Sequence, residues 1–202
     1  MRFPVAAAFL LGAASVLVLG ASQDPKPATP SAGDVQAMMQ KARKFTEPGP
    51  MHQQLERLVG TWTTETRFVM GGQKSPPEVG ETVCSWSIAG RWLEMKATGK
   101  LMGRAFVGQY LLGYDNFKQS YVMTTVNNVD TAMLRSEGDL TQDGKSLILH
   151  GTLDEYLTGE HDKMVKYAFR FVAADTFTFE VHDLAIGEVG TQVMEVTYRK
   201  KG

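Results

Sequence analysis

The chain has 202 residues, 43% of them hydrophobic, with 21 Lys and Arg against 22 Asp and Glu and a net charge of −1. That balance argues against a nucleic-acid binder, which needs a basic face, and the terminal Arg199-Lys200-Lys201 is too short to supply one. The single cysteine, Cys84, excludes an intramolecular disulfide even in an oxidising compartment.

The first element has the pattern of an export signal. Arg2 is a minimal positive region, Ala6 to Leu19 is an apolar core, and Gly20-Ala21-Ser22 offers small residues for cleavage. The core is shorter than the ~20 residues of a spanning helix, so residues 1–22 are expected to be removed rather than to anchor the chain. No stable membrane span then remains. The mature protein is expected to be exported, either periplasmic or secreted.

Residues 23–33 (QDPKPATPSAG) form a flexible linker rich in Pro and Ala. Ser31 and Asp34 make a capping pair ahead of a helix over 34–47, in which Val35, Met38, Met39, Ala42 and Phe45 share one face. Pro48-Gly49-Pro50 ends it. Pro50 then opens a second, short helix, with Leu55, Leu58 and Val59 as its apolar side and Gly60 as its stop.

From Thr61 the hydrophobic period changes to two and stays there. The alternation predicts strands near 61–70, 80–89, 91–99, 104–114, 117–127, 131–140, 145–152, 163–173, 175–183 and 191–200. Asp143-Gly144 reads as a type I′ hairpin turn, Asp115-Asn116 and Gly159-Glu160 mark other turns, and 71–79 with Pro76-Pro77 reads as a loop. Short connections favour an antiparallel up-and-down meander. Residues 48–202 are therefore expected to form a mainly β domain, a barrel of about ten strands preceded by one or two short helices, with a flat sandwich as the alternative. A barrel of that size leaves room for a ligand cavity, and the helix ahead of it would plug one end.

Gly60-x-Trp62, where a short helix meets the first strand, resembles the lipocalin-like (calycin-like) signature. The resemblance implies a structural corner of Gly60, Trp62 and Arg199, in which Trp62 closes the barrel bottom and the arginine packs across its indole. A longer pattern runs Pro48-Gly49-Pro50-x-His52-x-x-Leu55-x-x-Leu58-x-Gly60-x-Trp62, then Gly90-Arg91-Trp92-Leu93, Gly113-Tyr114-Asp115-Asn116 and Tyr198-Arg199. It resembles a bacterial family known as "domain of unknown function fifteen seventy-nine", from about Pro48 to Lys200. That family's pattern has Trp and Asp where this chain has Thr125 and Asn127. The resemblance implies a fold and no chemistry.

No catalytic motif stands out. The four histidines (His52, His150, His161, His182) have no metal-ligand spacing, and there is no nucleophile elbow, phosphate loop or dinucleotide fingerprint. Asp139 to Asp143 mimics part of a calcium loop, but a hairpin explains it better, since the twelfth position is His150. Cys84 alternates with Trp86 and Ile88 and reads as a buried, inert thiol.

The candidate ligand-binding residues are Met95, Tyr110, Met123, Arg170, His182 and Met194, if their strand parity points inward. Tyr121 and Met133 are further possibilities on the same reasoning. The resulting expectation is an exported protein that binds a small apolar ligand inside a barrel. One alternative is a structural or protein-interaction module docking through the 31–45 helix. Another is an enzyme using His182 with Glu180 or Glu195 on a barrel-bound molecule. No cofactor is indicated, beyond haem as a minor variant with His182 as axial ligand.

The leader reading has a direct check. Amino-terminal sequencing of the protein from its native host is expected to begin at Gln23, and a chain still beginning at Met1 would refute cleavage.

Overall fold

The computed structural model describes residues 31–155, 158–184 and 191–202. The expected signal over 1–22 and all but residues 31–33 of the expected linker lie outside the described residues. The chain divides into two compact units, residues 1–41 and 42–202. The boundary falls within helix α1, Ala32–Thr46.

Helix α1 begins as its sequence dictates. The Ser31 hydroxyl accepts from the Asp34 amide at 3.2 Å, and the Asp34 carboxylate accepts from the Ser31 amide at 3.0 Å, so each occupies an amide at the helix start. None of its residues is buried.

The second unit is a closed barrel of ten antiparallel strands: β1 Gly60–Met70, β3 Glu78–Ile88, β4 Trp92–Leu101, β5 Arg104–Asp115, β6 Ser120–Asn127, β7 Leu134–Leu140, β8 Ser146–Glu155, β9 Glu160–Ala173, β10 Thr176–Asp183 and β11 Gln192–Lys200. Each pairs with its neighbour in chain order, and β11 closes onto β1 with Trp62 opposite Lys200 and Phe68 opposite Met194. Closure removes the exposed sheet edges that a ten-strand meander would otherwise present. The expected loop at 71–79 contains a further element, β2 Gln73–Lys74, which folds back on Val69 and Met70 of β1.

The hairpin at Asp143-Gly144 differs from the expected type I′ turn. Only Gly144 has positive φ (65°), and Asp143 does not. The Gly144 amide instead donates to the Thr141 carbonyl at 2.8 Å, and the Asp143 carboxylate accepts from the Thr141 hydroxyl at 2.6 Å and the Lys145 amide at 3.0 Å. A carboxylate that satisfies its own loop this way is an ordinary reason to find Asp in a turn.

One end of the barrel is sealed by a short helix, α2 Pro50–Gln53, continued by a 3₁₀ turn over Gln54–Leu58. Leu55 and Leu58 from this segment are fully buried against Trp62 and the lower strand residues. The Trp62 indole N–H donates to the Leu58 carbonyl at 2.8 Å, filling one of the acceptors that a helical turn leaves open at its end. Phe177 meets the Trp62 ring edge-on at 4.7 Å and stacks on Tyr198 at 4.2 Å. Around the rim, Tyr121 donates to the Met51 carbonyl at 2.8 Å and Trp86 to the Glu56 carboxylate at 2.8 Å.

The cation expected over the indole is not Arg199. Lys200 lies over the Trp62 ring at 5.4 Å, whereas Arg199 points outward and pairs with Glu65 at 3.2 Å. Strand parity explains the exchange: Lys200 sits directly opposite Trp62 in the ladder, and Arg199 faces the other side. Gly60 makes the room. Its φ is 142°, and a Cβ there would lie 2.8 Å from the Lys200 Cε.

These contacts predict unequal costs at the corner. Trp62→Phe is expected to lower stability by about 2–4 kcal/mol, through a smaller ring and an unpaired Leu58 carbonyl. Lys200→Met should cost about 0.5–1 kcal/mol and Arg199→Met less than about 0.5 kcal/mol. Urea denaturation of the three variants reads the order, and an Arg199 variant worse than the Lys200 variant would contradict it.

Candidate functional site

The inward-facing residues are not uniform along the barrel. Counting away from the floor, β1 presents Trp62, Thr64 and Thr66, β3 presents Cys84, Thr82 and Gly80, and β4 presents Leu93, Met95, Ala97 and Gly99. Beyond Trp62, Cys84 and Met95 these strands present hydroxyl, methyl or no side chain to the cavity, until Leu101 at the end of β4. Gly80 and Gly99 come into contact across the β3–β4 ladder and leave no side chain in the wall. The floor half is packed and the other half is hollow. A cavity of about 300 Å³ occupies it.

The rest of the wall is supplied by β5 to β11, with Leu134 and Leu153 coming from β7 and β8. Tyr110, Tyr167, Phe179 and Tyr198 are its large groups, with Met194 and Val196 beside them. Tyr167 stacks on Phe179 at 5.8 Å, and Tyr110 meets Phe179 edge-on at 6.0 Å, which fixes the rings. The charged residues of the lining are Lys100, which is solvent-exposed and marks the rim, and Asp130. Asp130 is held by the Ala132 amide at 3.0 Å and by the Asn127 side chain at 3.4 Å.

Burial raises the pKa of the three wall phenols. Tyr110 is pushed up to about 12 by desolvation and then by Tyr167, and Tyr167 to about 12 by desolvation and then by Asp130. Tyr198 is raised as well, through burial first and the nearby Tyr110 and Cys84 second. Cys84, buried at the same level, is pushed up to about 12 by desolvation, so it is a thiol and a poor nucleophile.

The sequence-stated ligand candidates separate into three places. Tyr110 and Met194 line the cavity. Met95 and Met123 are buried in the packed core and do not reach it, and Tyr121 is likewise committed to the floor. Arg170 and His182 lie on the outer face of the barrel: Arg170 Nε lies 2.8 Å from both oxygens of Glu180, and His182 contacts Glu180 through Nε2 and Thr191 through Nδ1, each at 3.1 Å. Met133 is exposed. No histidine among the described residues lines the cavity, so His182 offers it neither an acid–base group nor an axial ligand. Thr125 and Asn127, where the resembled pattern has Trp and Asp, do line it.

Sequence reasoning missed Thr64, Thr66, Thr82, Tyr167 and Tyr198. The signal existed in the parity of Trp62: once that ring is inward, Thr64 and Thr66 follow, and Tyr198 lies opposite Thr64.

The remaining motif residues act at the floor. Arg91 donates to the Thr46 carbonyl, and Asn116 donates to the Glu47 carbonyl at 2.7 Å. His52 is buried, and its Nδ1 accepts from the Gly49 amide at 3.1 Å. Desolvation and then the Arg91 charge lower its pKa, so the imidazole is neutral, as that acceptor role requires. Together these groups hold the chain from Thr46 to His52 across the barrel end. A smaller hollow of about 190 Å³ beside them is bounded by the same side chains.

Residues 47–200 match the family described as "Protein of unknown function (DUF1579)". The chain belongs to that family. The family match covers the floor segment and all ten barrel strands. No curated protein matches the chain. Among solved structures, the chain is similar to a redesigned beta barrel, with 14% identity over 76% of this chain and 100% of that one and a TM-score of 0.40. It is also similar to the protein EF1p2_mFAP2b bound to DFHBI, with 16% identity over 75% and 99% of the two chains and a TM-score of 0.38.

The buried phenols set an alkaline limit on this family member. A phenol with a higher pKa folded than unfolded loses its proton first in the unfolded chain. The stabilisation is therefore complete below pH about 10, the ordinary phenol value, and falls as pH rises towards about 12. Phenolate absorbance is expected to rise together with loss of circular dichroism, and phenolate appearing in a fully folded barrel at lower pH would refute the burial.

Proposed function

We propose that this family member is an exported binding protein that holds one small, largely apolar molecule inside its barrel. The observation that carries the reading is the cavity above the packed floor. Its volume of about 300 Å³ is at the lower end of the range for small-molecule sites, about 300–1,000 Å³. Its wall combines aliphatic and aromatic groups with eight hydroxyls, from five threonines and three tyrosines, a composition suited to a site that binds by burial and orients by polar contacts. A rigid, closed sheet also limits the conformational cost of binding, since the wall is formed before the ligand arrives.

Among the described residues, the lining carries one carboxylate, Asp130, engaged by the Ala132 amide and the Asn127 side chain, and one cation, the exposed Lys100. Binding, rather than turnover, is what such a wall supports. Export accords with the leading apolar segment.

The reading is tested with N-phenyl-1-naphthylamine, a neutral probe whose emission rises in apolar surroundings. Saturable one-to-one binding to the mature chain is expected, and Met194→Trp, which fills the cavity from β11, is expected to abolish it while the circular dichroism spectrum stays unchanged. No saturable binding by the wild-type protein, or equal binding by the filled variant, would overturn the reading.

A further inference from the structure

The cavity wall carries more hydrogen-bonding capacity than the protein itself uses. Tyr167 and Tyr198 are 7% and 3% exposed, and Thr82 is 1% exposed. Among the described residues, the Tyr110 and Tyr167 hydroxyls make no hydrogen bond to protein. The Thr82 hydroxyl faces Tyr198, yet its oxygen lacks a well-formed hydrogen bond. Of these oxygens only that of Thr82 is shut away without a partner, at a cost in free energy, whereas the Tyr110 and Tyr167 hydroxyls are left for a molecule in the cavity to pair. Tyr110 meets the Phe179 ring edge-on at 6.0 Å, Tyr167 stacks on the same ring at 5.8 Å, and Tyr198 lines the same cavity, so three phenols from β5, β9 and β11 converge on one wall.

The chemistry of that cluster is specific. A phenol is a good donor and a weaker acceptor, because its oxygen lone pair is delocalised into the ring. Burial keeps each proton on its oxygen across the neutral range. Among the described residues, the one cation of the lining is Lys100 at the exposed rim, so an anion carried inward past it would lose its hydration without a countercharge from them. Asp130 near Tyr167 makes that end of the cavity still less welcoming to negative charge.

We propose that Tyr110, Tyr167 and Tyr198 act as a donor cluster that selects a neutral ligand bearing a carbonyl-type acceptor oxygen, with the apolar remainder packed against Phe179, Val181 and Met194. The proposal rests on the binding reading above and adds to it the chemical class of the ligand. Selectivity arises because an analogue without the oxygen leaves the phenols unpaired in a buried site.

Three rigid probes of one shape decide it: fluorenone, fluorene, in which a methylene replaces the carbonyl, and fluorene-9-carboxylate. Calorimetric titration of the mature chain is expected to show fluorenone binding about tenfold or more tightly than fluorene, the gain of roughly one hydrogen bond. The double variant Tyr110→Phe/Tyr167→Phe removes two hydroxyls without changing ring shape, and is expected to bring fluorenone down to the fluorene level while leaving fluorene unchanged. Because those hydroxyls bond to no protein group, the variant should fold, which its melting temperature checks.

Equal affinity for fluorenone and fluorene would overturn the donor cluster while leaving the binding reading intact. Tighter binding of the carboxylate would overturn the selection for a neutral ligand. Failure of all three probes alongside N-phenyl-1-naphthylamine would bring down the binding reading itself. Loss of fluorene and fluorenone binding together in the double variant would assign the phenols a packing role and overturn their role as donors.

Discussion

The structure of the barrel depends on one side chain at its seam. Trp62 stands where the floor segment becomes the first strand and where the last strand returns to close the sheet. Its indole N–H satisfies the Leu58 carbonyl, its ring edge meets Phe177, and Lys200 covers it from the opposite strand. A meander of ten strands has two free edges until β1 and β11 meet, and each edge is a row of unpaired backbone groups. Joining them at a buried aromatic ring couples closure of the sheet to burial of the floor. Leu55 and Leu58 share one buried cluster with that ring, so the local helix and the global topology support each other.

The cavity follows from the same arrangement. Trp62 and its neighbours fill the barrel to about half its depth, and the strands on that side continue with threonine, alanine and glycine. Large aromatic groups come only from the facing strands, where Tyr110, Tyr167, Phe179 and Tyr198 line a single wall. A ten-strand circumference cannot be filled by such a one-sided set, because the small residues on β1, β3 and β4 do not reach across it. The hollow is thus a property of the taper, with hydroxyl groups distributed through an otherwise apolar wall. Family membership is consistent with this economy. The floor motif, from Pro50 through Trp62 with Arg91 and Asn116, is concerned with sealing one end.

Strand alternation made most of the fold legible, since a period of two persists from Thr61 to Lys200 and turn residues interrupt it at regular intervals. The short helix with Leu55 and Leu58 was legible for a similar reason, its proline start and glycine stop being local steric facts. Less was legible of the site. Tyr110 and Met194 were candidates on the condition that their parity points inward, as were Met95 and Met123, which face inward at the packed level rather than at the hollow one. Parity distinguishes in from out. It does not give height above the floor. His182 failed differently, because its polar alternation reads the same whether the far side is solvent or lumen, and Glu180 and Thr191 hold it outside.

The sequence by itself determined which residues form strands and roughly where they turn, because these are set by backbone sterics and by period within a few neighbouring residues, and the resemblance of Gly60-x-Trp62 to a known signature implied the corner. The tertiary structure decided the rest. Register across β1 and β11 put Lys200, and not Arg199, over the indole, and the closing of ten strands brought Tyr110, Tyr167 and Tyr198 together from positions far apart in the chain. Those contacts are non-local, and no single strand's pattern contains them, since they arise only when the last strand meets the first.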